Sequence, residues 1–486
     1  MIINKINIYI ASAIFLLFAS IFSLGYHQYD EHFQILEFAG LKLQLTSAED
    51  LPWEFHNQMR PAIQPLIVYV THCFMGLFGE VNPFHLAFVL RLISAALSFL
   101  AMWLIYKTFS NKITNPVLSK WFLILSFTLW FLIFRSVRFS SENWSGLIFT
   151  IAFALYFIKV NKNVWYYLFL GTILGLSFIF RYQVGFLVFG FISWLIIIQR
   201  EKLKNLFALI SGIFIVICLG VLIDKWFYGE WTLTSWNYFT KNIIENKVSE
   251  FGVDPWWYYL KLFFIQAIPP FSLLFLIGLI VIIIFKRRSA IVWCIVPFLV
   301  IHFIIGHKEL RFLYPLTGFI PFITIKSLDI ITTRFFNKLL NNKGFLIFMK
   351  IFFIANTIPL IIISFKPSDS RISLYQTIYN NYNTPTILYC VEDNPYKRAY
   401  DIHFYKRSNL EVYKINSLEE IDKNAKGQHK LILFKNDSVP SEIEKKYTLV
   451  YTSYPDILKK LHLDNLIKIK GARCVFDLDK PLKSGY

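Results

Sequence analysis

Apolar residues in this chain fall into long uninterrupted runs, not into the alternating or 3.6-residue patterns of a water-exposed fold. The first, Ile6 to Gly25, follows a short Lys-bearing start. Its length of about twenty residues, without a small-x-small cleavage site, predicts an uncleaved membrane span. Further runs at 84–106, 120–134, 144–159, 165–180, 184–199, 205–223, 263–285, 289–305, 312–326 and 344–365 bring the expected number of spans to eleven. Residues 65–79 are apolar but short, begin with Pro65 and contain His72. Such a stretch is expected to lie in the interface or re-enter. After about residue 366 the pattern changes. Short β-rich runs (TILYC, LEVYKI, KLILF, TLVYT) alternate with polar helical stretches such as PSEIEKKY and DILKKL, which predicts a small α/β domain. The expected fold class is an all-α polytopic membrane protein over residues 1–365, with 26–83 as its first extracytoplasmic loop. An extracytoplasmic α/β domain over 366–486 would follow it.

Composition agrees. Of 486 residues, 56% are apolar and 16% charged, and 51 Phe, 26 Tyr and 13 Trp form an aromatic load that a soluble surface would not hide. Disorder, collagen, coiled coil and a disulfide scaffold are excluded on these numbers. The formal charge of +18 would raise nucleic-acid binding in a soluble protein. Here the cations sit between apolar runs, so they read as topology signals and no nucleic-acid partner is expected. With 65–79 kept from crossing, Lys107, Lys112, Lys120, Lys159, Lys162, Arg200, Lys202, Lys204, Lys286, Arg287, Arg288, Arg334, Lys338 and Lys343 share one side, which is then cytoplasmic. Among the five cysteines, only Cys390 and Cys474 lie in polar sequence, and spacing alone does not pair them.

Ionisable groups gather on the opposite side, where bilayer proximity makes them costly to keep. Asp30 and Glu31 stand just past the first span, followed by Gln34 and Glu37. On an α-helix Asp30, Gln34 and Glu37 would share one face. Adjacent carboxylates can keep one ionised group poised as a base, and they can equally be acids of a solvated helix start. Arg135, Arg138, Glu142 and Asn143 lie between two spans, and Arg181 with Gln183 ends another. These suit an anionic headgroup or phosphate, or interfacial snorkelling. Arg91, inside a span, is expected either to pair with a first-loop acid or to pack its stem. His307, Lys308, Glu309 and Arg311 are squeezed between two spans. Their cations favour a lipid-linked phosphate, with Glu309 orienting them; His307 and Glu309 alone are weak evidence for a metal, and none is expected. The aromatic loop 224–262 fits either sugar stacking or an interfacial belt. The C-terminal stretch carries no phosphate loop, metal-ligand spacing or nucleophile elbow, and the chain shows no internal repeat.

Taken in order, these motifs resemble the GT-C glycosyltransferases, and within them the PIG-B-like α-mannosyltransferases of the GPI-anchor and N-glycan pathways. The elements are YDEHFQILE at 29–37, RLISAALS at 91–98, RSVRFSSEN at 135–143, RYQ at 181–183, DKWFYGEW at 224–231, FGVDPWWYY at 251–259 and HKELRFLYPL at 307–316. They span roughly residues 26–320, and HKELRF is the most specific. Tyr29 departs from the proline expected before the acidic pair, and the C-terminal domain contributes little. The resemblance implies a GT-C fold whose first loop carries interfacial helices. It further implies transfer of a sugar, mannose by this branch, from a polyprenyl-phosphate donor to a glycolipid or glycan hydroxyl with inversion. In that reading Asp30 is the base, and Glu31 and Glu37 position sugar or acceptor. His307, Lys308 and Arg311 would hold the phosphate with Arg138 or Arg181, and Gln34, Glu142, Gln183 and Glu309 would complete the substrate site. Neither nucleotide nor metal cofactor is expected. The alternatives are a GT-C enzyme using another lipid-linked sugar (pentose, glucose or aminoarabinose), a lipid-linked-saccharide flippase or polymerase, and an inactive scaffold. Compact loops and an Ile/Asn/Lys/Phe-rich composition tilt the expectation to a bacterial inner membrane with a periplasmic active site; the eukaryotic equivalent is an ER membrane with a lumenal one.

Overall fold

The structure, a computed structural model, describes residues 5–336, 338–369, 371–421, 428–435, 439–453 and 472–482. It is mostly helical and divides into two compact units. One comprises Met1–Ser23, Glu54–Val70 and Phe88–Lys366; the other comprises Leu24–Trp53, Thr71–Ala87 and Pro367–Tyr486. Most of the first loop thus belongs with the C-terminal residues.

The first unit is the membrane body. Among the described residues, six helical stretches are long and apolar enough to cross a bilayer: Lys5–Phe22, Pro83–Lys112, Pro116–Ser136, Leu203–Tyr228, Leu310–Arg334 and Lys343–Phe365. Shorter apolar helices cover Ile63–Gly76, Val164–Phe180, Tyr182–Ile197, Ser272–Phe285 and Ala290–Ile304. The chain is therefore a multi-pass membrane protein. Every predicted run is helical, but three are not single α-helices. The run at 263–285 is split into Tyr258–Gln266 and Ser272–Phe285. Pro269 and Pro270 lie in the gap, and neither can donate to a helical ladder. The run at 120–134 breaks at Leu129, between Pro116–Thr128 and Trp130–Ser136. There Asn356, from the last span, accepts from the Trp130 amide (3.0 Å) and donates to the Thr128 carbonyl (2.8 Å). A backbone break at membrane depth is tolerated because one buried amide side chain satisfies both orphaned groups. The third, 312–326, begins with a ten-residue 3₁₀ segment, Leu310–Phe319, that contains Pro315.

Helix Val164–Phe180 packs closely on Leu203–Tyr228 because two glycines face each other. A β-carbon on Gly171 would lie 2.1 Å from the Leu209 carbonyl oxygen, and one on Gly212 would lie 2.2 Å from that of Leu168. Without a hydrophobic drive between helices in lipid, such small-residue contact is a main source of association. Gly171→Leu is expected to force the helices apart and lower stability by about 1–3 kcal/mol or more. A thermal melt of the purified protein in detergent checks this.

The second unit holds a five-stranded sheet in the order β2-β1-β3-β5-β4. β1 (Thr386–Cys390) pairs in parallel with β2 (Leu410–Lys414) and β3 (His429–Lys435). β5 (Arg473–Pro481) runs antiparallel to β3 and to β4 (Tyr447–Thr452). The wholly buried TILYC run is the central parallel strand, as continuous apolar sequence should be. The four predicted strand runs and the PSEIEKKY helix (Ser441–Lys446) are present. β5 and helix Ile372–Asn381 were not expected, and DILKKL falls outside the described residues. Cys390 and Cys474 are both buried and form no disulfide, on strands separated by β3. Burial pushes the Cys390 thiol up to about 12. His429, Asp477 and Asp479 converge across β3 and β5, a cluster that linear spacing did not reveal. His429 already bonds Asp477 at 2.8 Å, and Asp477 also accepts from Tyr382.

Candidate active site

In the membrane body, the predicted cations lie on three segments, around 135–142, at 181 and at 307–311. Glu142 lies in the first turn of helix Ser141–Ile158, whose N-cap Ser140 accepts from the Asn143 amide at 3.3 Å. Gly146, one turn on, has no room for a β-carbon: it would meet Pro315 Cα at 2.4 Å, so the 3₁₀ segment lies directly against this helix. That approach brings position 311 to position 142. Arg181, ending helix Val164–Phe180 in an extended conformation, reaches Glu142 at 3.2 Å. Arg311 lies 3.9 Å from the same oxygen and forks onto both oxygens of Glu309, at 2.8 and 2.9 Å. His307 reaches Glu309 at 3.1 Å. Arg181 and Arg311 both stand over the Phe312 ring, at 5.5 and 5.3 Å.

The remaining cations belong to the first and last of these segments. Arg138 donates to Ser23 and Arg135 to the Tyr314 carbonyl at 3.0 Å. Lys308 donates to the Ile305 carbonyl and lies 5.7 Å from the centre of the Tyr259 ring. Burial draws the Lys308 ammonium below its ordinary range, with Asp254 opposing. Arg135, Arg138, Arg181, Lys308 and Arg311 thus make five cations, four of them under a tenth exposed, and Arg181 and Arg311 meet the carboxylates of Glu142 and Glu309. The Nε and Nη2 of Arg135 and the Nε of Arg181 are buried with no acceptor. A buried guanidinium nitrogen without an acceptor is costly unless an anion completes it.

Other sequence candidates are committed elsewhere. Gln183 donates to the Tyr238 hydroxyl at 2.6 Å. Arg91 donates to the Ser20 carbonyl at 2.8 Å, inside the helical body. Asp224, which the spacing did not single out, accepts from the Ala62 amide at 2.8 Å and from Thr234 at 2.6 Å. His302 was also missed. Its Nδ1 bonds the Phe298 carbonyl at 2.7 Å, and its buried Nε2 has no partner.

The first-loop acids belong to the second unit. Asp30 lies in a three-residue helix, Tyr29–Glu31, and is half-buried, while Glu31, Gln34 and Glu37 are buried. Glu31 accepts from the His27 amide at 3.1 Å. The shared face expected for Asp30, Gln34 and Glu37 is not formed, because residues His32–Leu36 make a π turn that shifts the helical register. Glu37 is 1% exposed and engaged on both oxygens: by His32 (2.8 Å) and the His403 and Phe404 amides (2.9 and 3.0 Å) on one, and by Thr46 (2.6 Å) on the other. Burial alone would raise its pKa, but these bonds, His32 foremost, hold it below the ordinary range.

This arrangement of many membrane helices and a small sheet is the fold of GT-C membrane glycosyltransferases. ArnT from Cupriavidus metallidurans matches it over 97% of both chains, with TM-scores of 0.51 in the apo state and 0.55 bound to undecaprenyl phosphate, at 11% identity. The model of the Alg9-like mannosyltransferase family matches residues 7–405, and the chain belongs to that family. Among relatives, GPI alpha-1,2-mannosyltransferase 3 of Danio rerio is 27% identical over 55% of this chain and 49% of its own length. GPI mannosyltransferase 3 of Candida albicans is 28% identical over 62% and 60%. A probable Dol-P-Man:Man(7)GlcNAc(2)-PP-Dol alpha-1,6-mannosyltransferase of Schizosaccharomyces pombe is 27% identical over 64% and 58%. The matches span about half to three-fifths of these relatives.

Proposed function

We propose that the chain transfers mannose from a polyprenyl-phosphate donor to a hydroxyl of a glycolipid or glycan acceptor, inverting the anomeric carbon. The observation that carries this reading is the convergence of Arg181 and Arg311 on Glu142, with buried guanidinium nitrogens of Arg135 and Arg181 left without an acceptor, which suits the phosphate left behind when the sugar departs. Family membership supplies the sugar, and the undecaprenyl phosphate bound by the ArnT fold neighbour supports the donor class. Asp30 takes the proton of the attacking hydroxyl as the new glycosidic bond forms and the bond to phosphate breaks. Arg181, Arg311 and Lys308, with Arg138 and Arg135, stabilise the charge that develops on the phosphate. Glu142 and Glu309 orient the guanidinium groups. Glu31 and Gln34 border the acceptor side, and His307 sets the orientation of Glu309. The reaction uses these side chains alone. The active face is extracytoplasmic in an eleven-span topology, with helix Ile63–Gly76 lying in the interface. Loop charge supports that placement, since letting this helix cross would put Lys107 and Lys112 on the opposite face from the other loop cations. A bacterial inner membrane is the setting we favour, on composition.

The test is transfer by the purified protein from a panel of polyprenyl-phosphate sugars. Product from the mannosyl donor is expected; product from another sugar alone would overturn the mannosyl assignment and keep the mechanism. Arg311→Ala is expected to raise donor KM by ten-fold or more with acceptor KM little changed, since a charge-assisted phosphate contact is worth about 1.5–3 kcal/mol. An unchanged donor KM would remove Arg311 from the phosphate site.

A further inference from the structure

His32 and Glu37 are five residues apart. On an α-helix such positions lie about 140° apart around the axis and their side chains do not meet. Here the Glu37 amide bonds the His32 carbonyl in an i→i+5 turn, and that wider turn brings the two side chains to one side, 2.8 Å apart. The contact is closed on every side. His32 is fully buried and stacked on Tyr26 (4.9 Å, 20°) and Tyr405 (5.5 Å, 10°). The remaining capacity of Glu37 is filled by Thr46 and by two successive backbone amides, His403 and Phe404. Isolated π turns are uncommon and cluster at functional sites. This one begins directly after Glu31. The family match, which ends at residue 405, includes both amides.

We propose that Glu37 is a positioning residue: it holds the π turn closed through His32 and fastens it to the His403 and Phe404 amides, fixing the direction in which Asp30 is presented. Relaxation of the turn to α-helix would shift the register by one residue and rotate Tyr29–Glu31 by about 100° relative to the following helix. The role of Glu37 is then to orient, not to touch sugar. The segment around residue 404 gains a task in return, since it supplies the anchor for the catalytic loop. The inference rests on Asp30 being the base.

The experiment compares full-length wild type with Glu37→Ala, Glu37→Gln and His32→Gln, each taken as the folded, monodisperse fraction. Transfer kinetics and amide exchange over residues 29–37 are measured. Glu37→Ala is expected to lower kcat by ten-fold or more at unchanged donor KM and to speed exchange in the turn. Glu37→Gln keeps an acceptor oxygen for the two amides and should recover part of the loss. A drop in melting temperature with kcat within two-fold of wild type would mark Glu37 as merely structural and overturn the proposal. If wild type transfers no sugar, the functional reading fails on its own. Amide exchange then still decides the clamp: faster exchange in the variants supports it, and unchanged exchange refutes it.

Discussion

Replacing Asp30 with asparagine is expected to lower kcat by about 100- to 10,000-fold, the usual worth of a positioned general base, while leaving the protein folded. The substitution is nearly isosteric and removes only the basic oxygen. Asp30 is half-buried at the head of the first loop, so its loss opens no cavity. Glu31, its neighbour, is buried and accepts from the His27 amide, which suits a residue holding the chain more than one exchanging protons with substrate. The paired measurement is therefore Asp30→Asn beside Glu31→Gln, assayed for transfer and for thermal stability. Loss in the first with a milder, stability-linked loss in the second assigns the base to Asp30. Full activity in Asp30→Asn would remove it from the role, and the scaffold and flippase readings would regain weight.

What could be read from sequence follows from what is encoded locally. Membrane helices are local: a run of apolar residues either is or is not long enough, and every predicted run is helical. The strands TILYC and KLILF were legible for the same reason, as short apolar runs between turn signals. β5 was missed although its alternation of Phe476 and Leu478 with Asp477 and Asp479 carries a strand period, because two acids in the run look like a loop. Breaks within spans depend on distant partners. Leu129 carries no breaking signal of its own, and the gap there is possible only because Asn356, more than two hundred residues on, satisfies both backbone groups.

The site divides in the same way. The order of motifs named Glu142, Arg181 and Arg311 from positions far apart in the chain, and the fold brings them onto one carboxylate. Helical periodicity, by contrast, misplaced Glu37. A face drawn at 3.6 residues per turn is valid only while the turn is α, and the π turn over His32–Leu36 inserts an extra residue between Asp30 and Glu37. No single residue in HFQIL announces that turn. It depends on amides at 403 and 404 that local sequence cannot supply.

Glu142 provides the second large effect, and one that separates a binding site from a structural ion-pair network. Its side chain is 3% exposed and holds Arg181 at 3.2 Å and Arg311 at 3.9 Å. Removing one partner of a buried pair leaves charge uncompensated at a cost of about 3–5 kcal/mol, so Glu142→Gln is expected to melt markedly lower than wild type when free of ligand. If the cations exist to meet a phosphate, an anionic ligand can restore what the carboxylate supplied. Ligand stabilisation grows with affinity, and a site relieved of its internal anion should bind a phosphate more tightly. Adding polyprenyl phosphate should therefore raise the melting temperature of Glu142→Gln by more than it raises that of wild type. An equal increment in both proteins would mean that Glu142 does not share its guanidinium partners with the donor. No increment in either would argue that the arginines brace the membrane body and that the phosphate is held elsewhere.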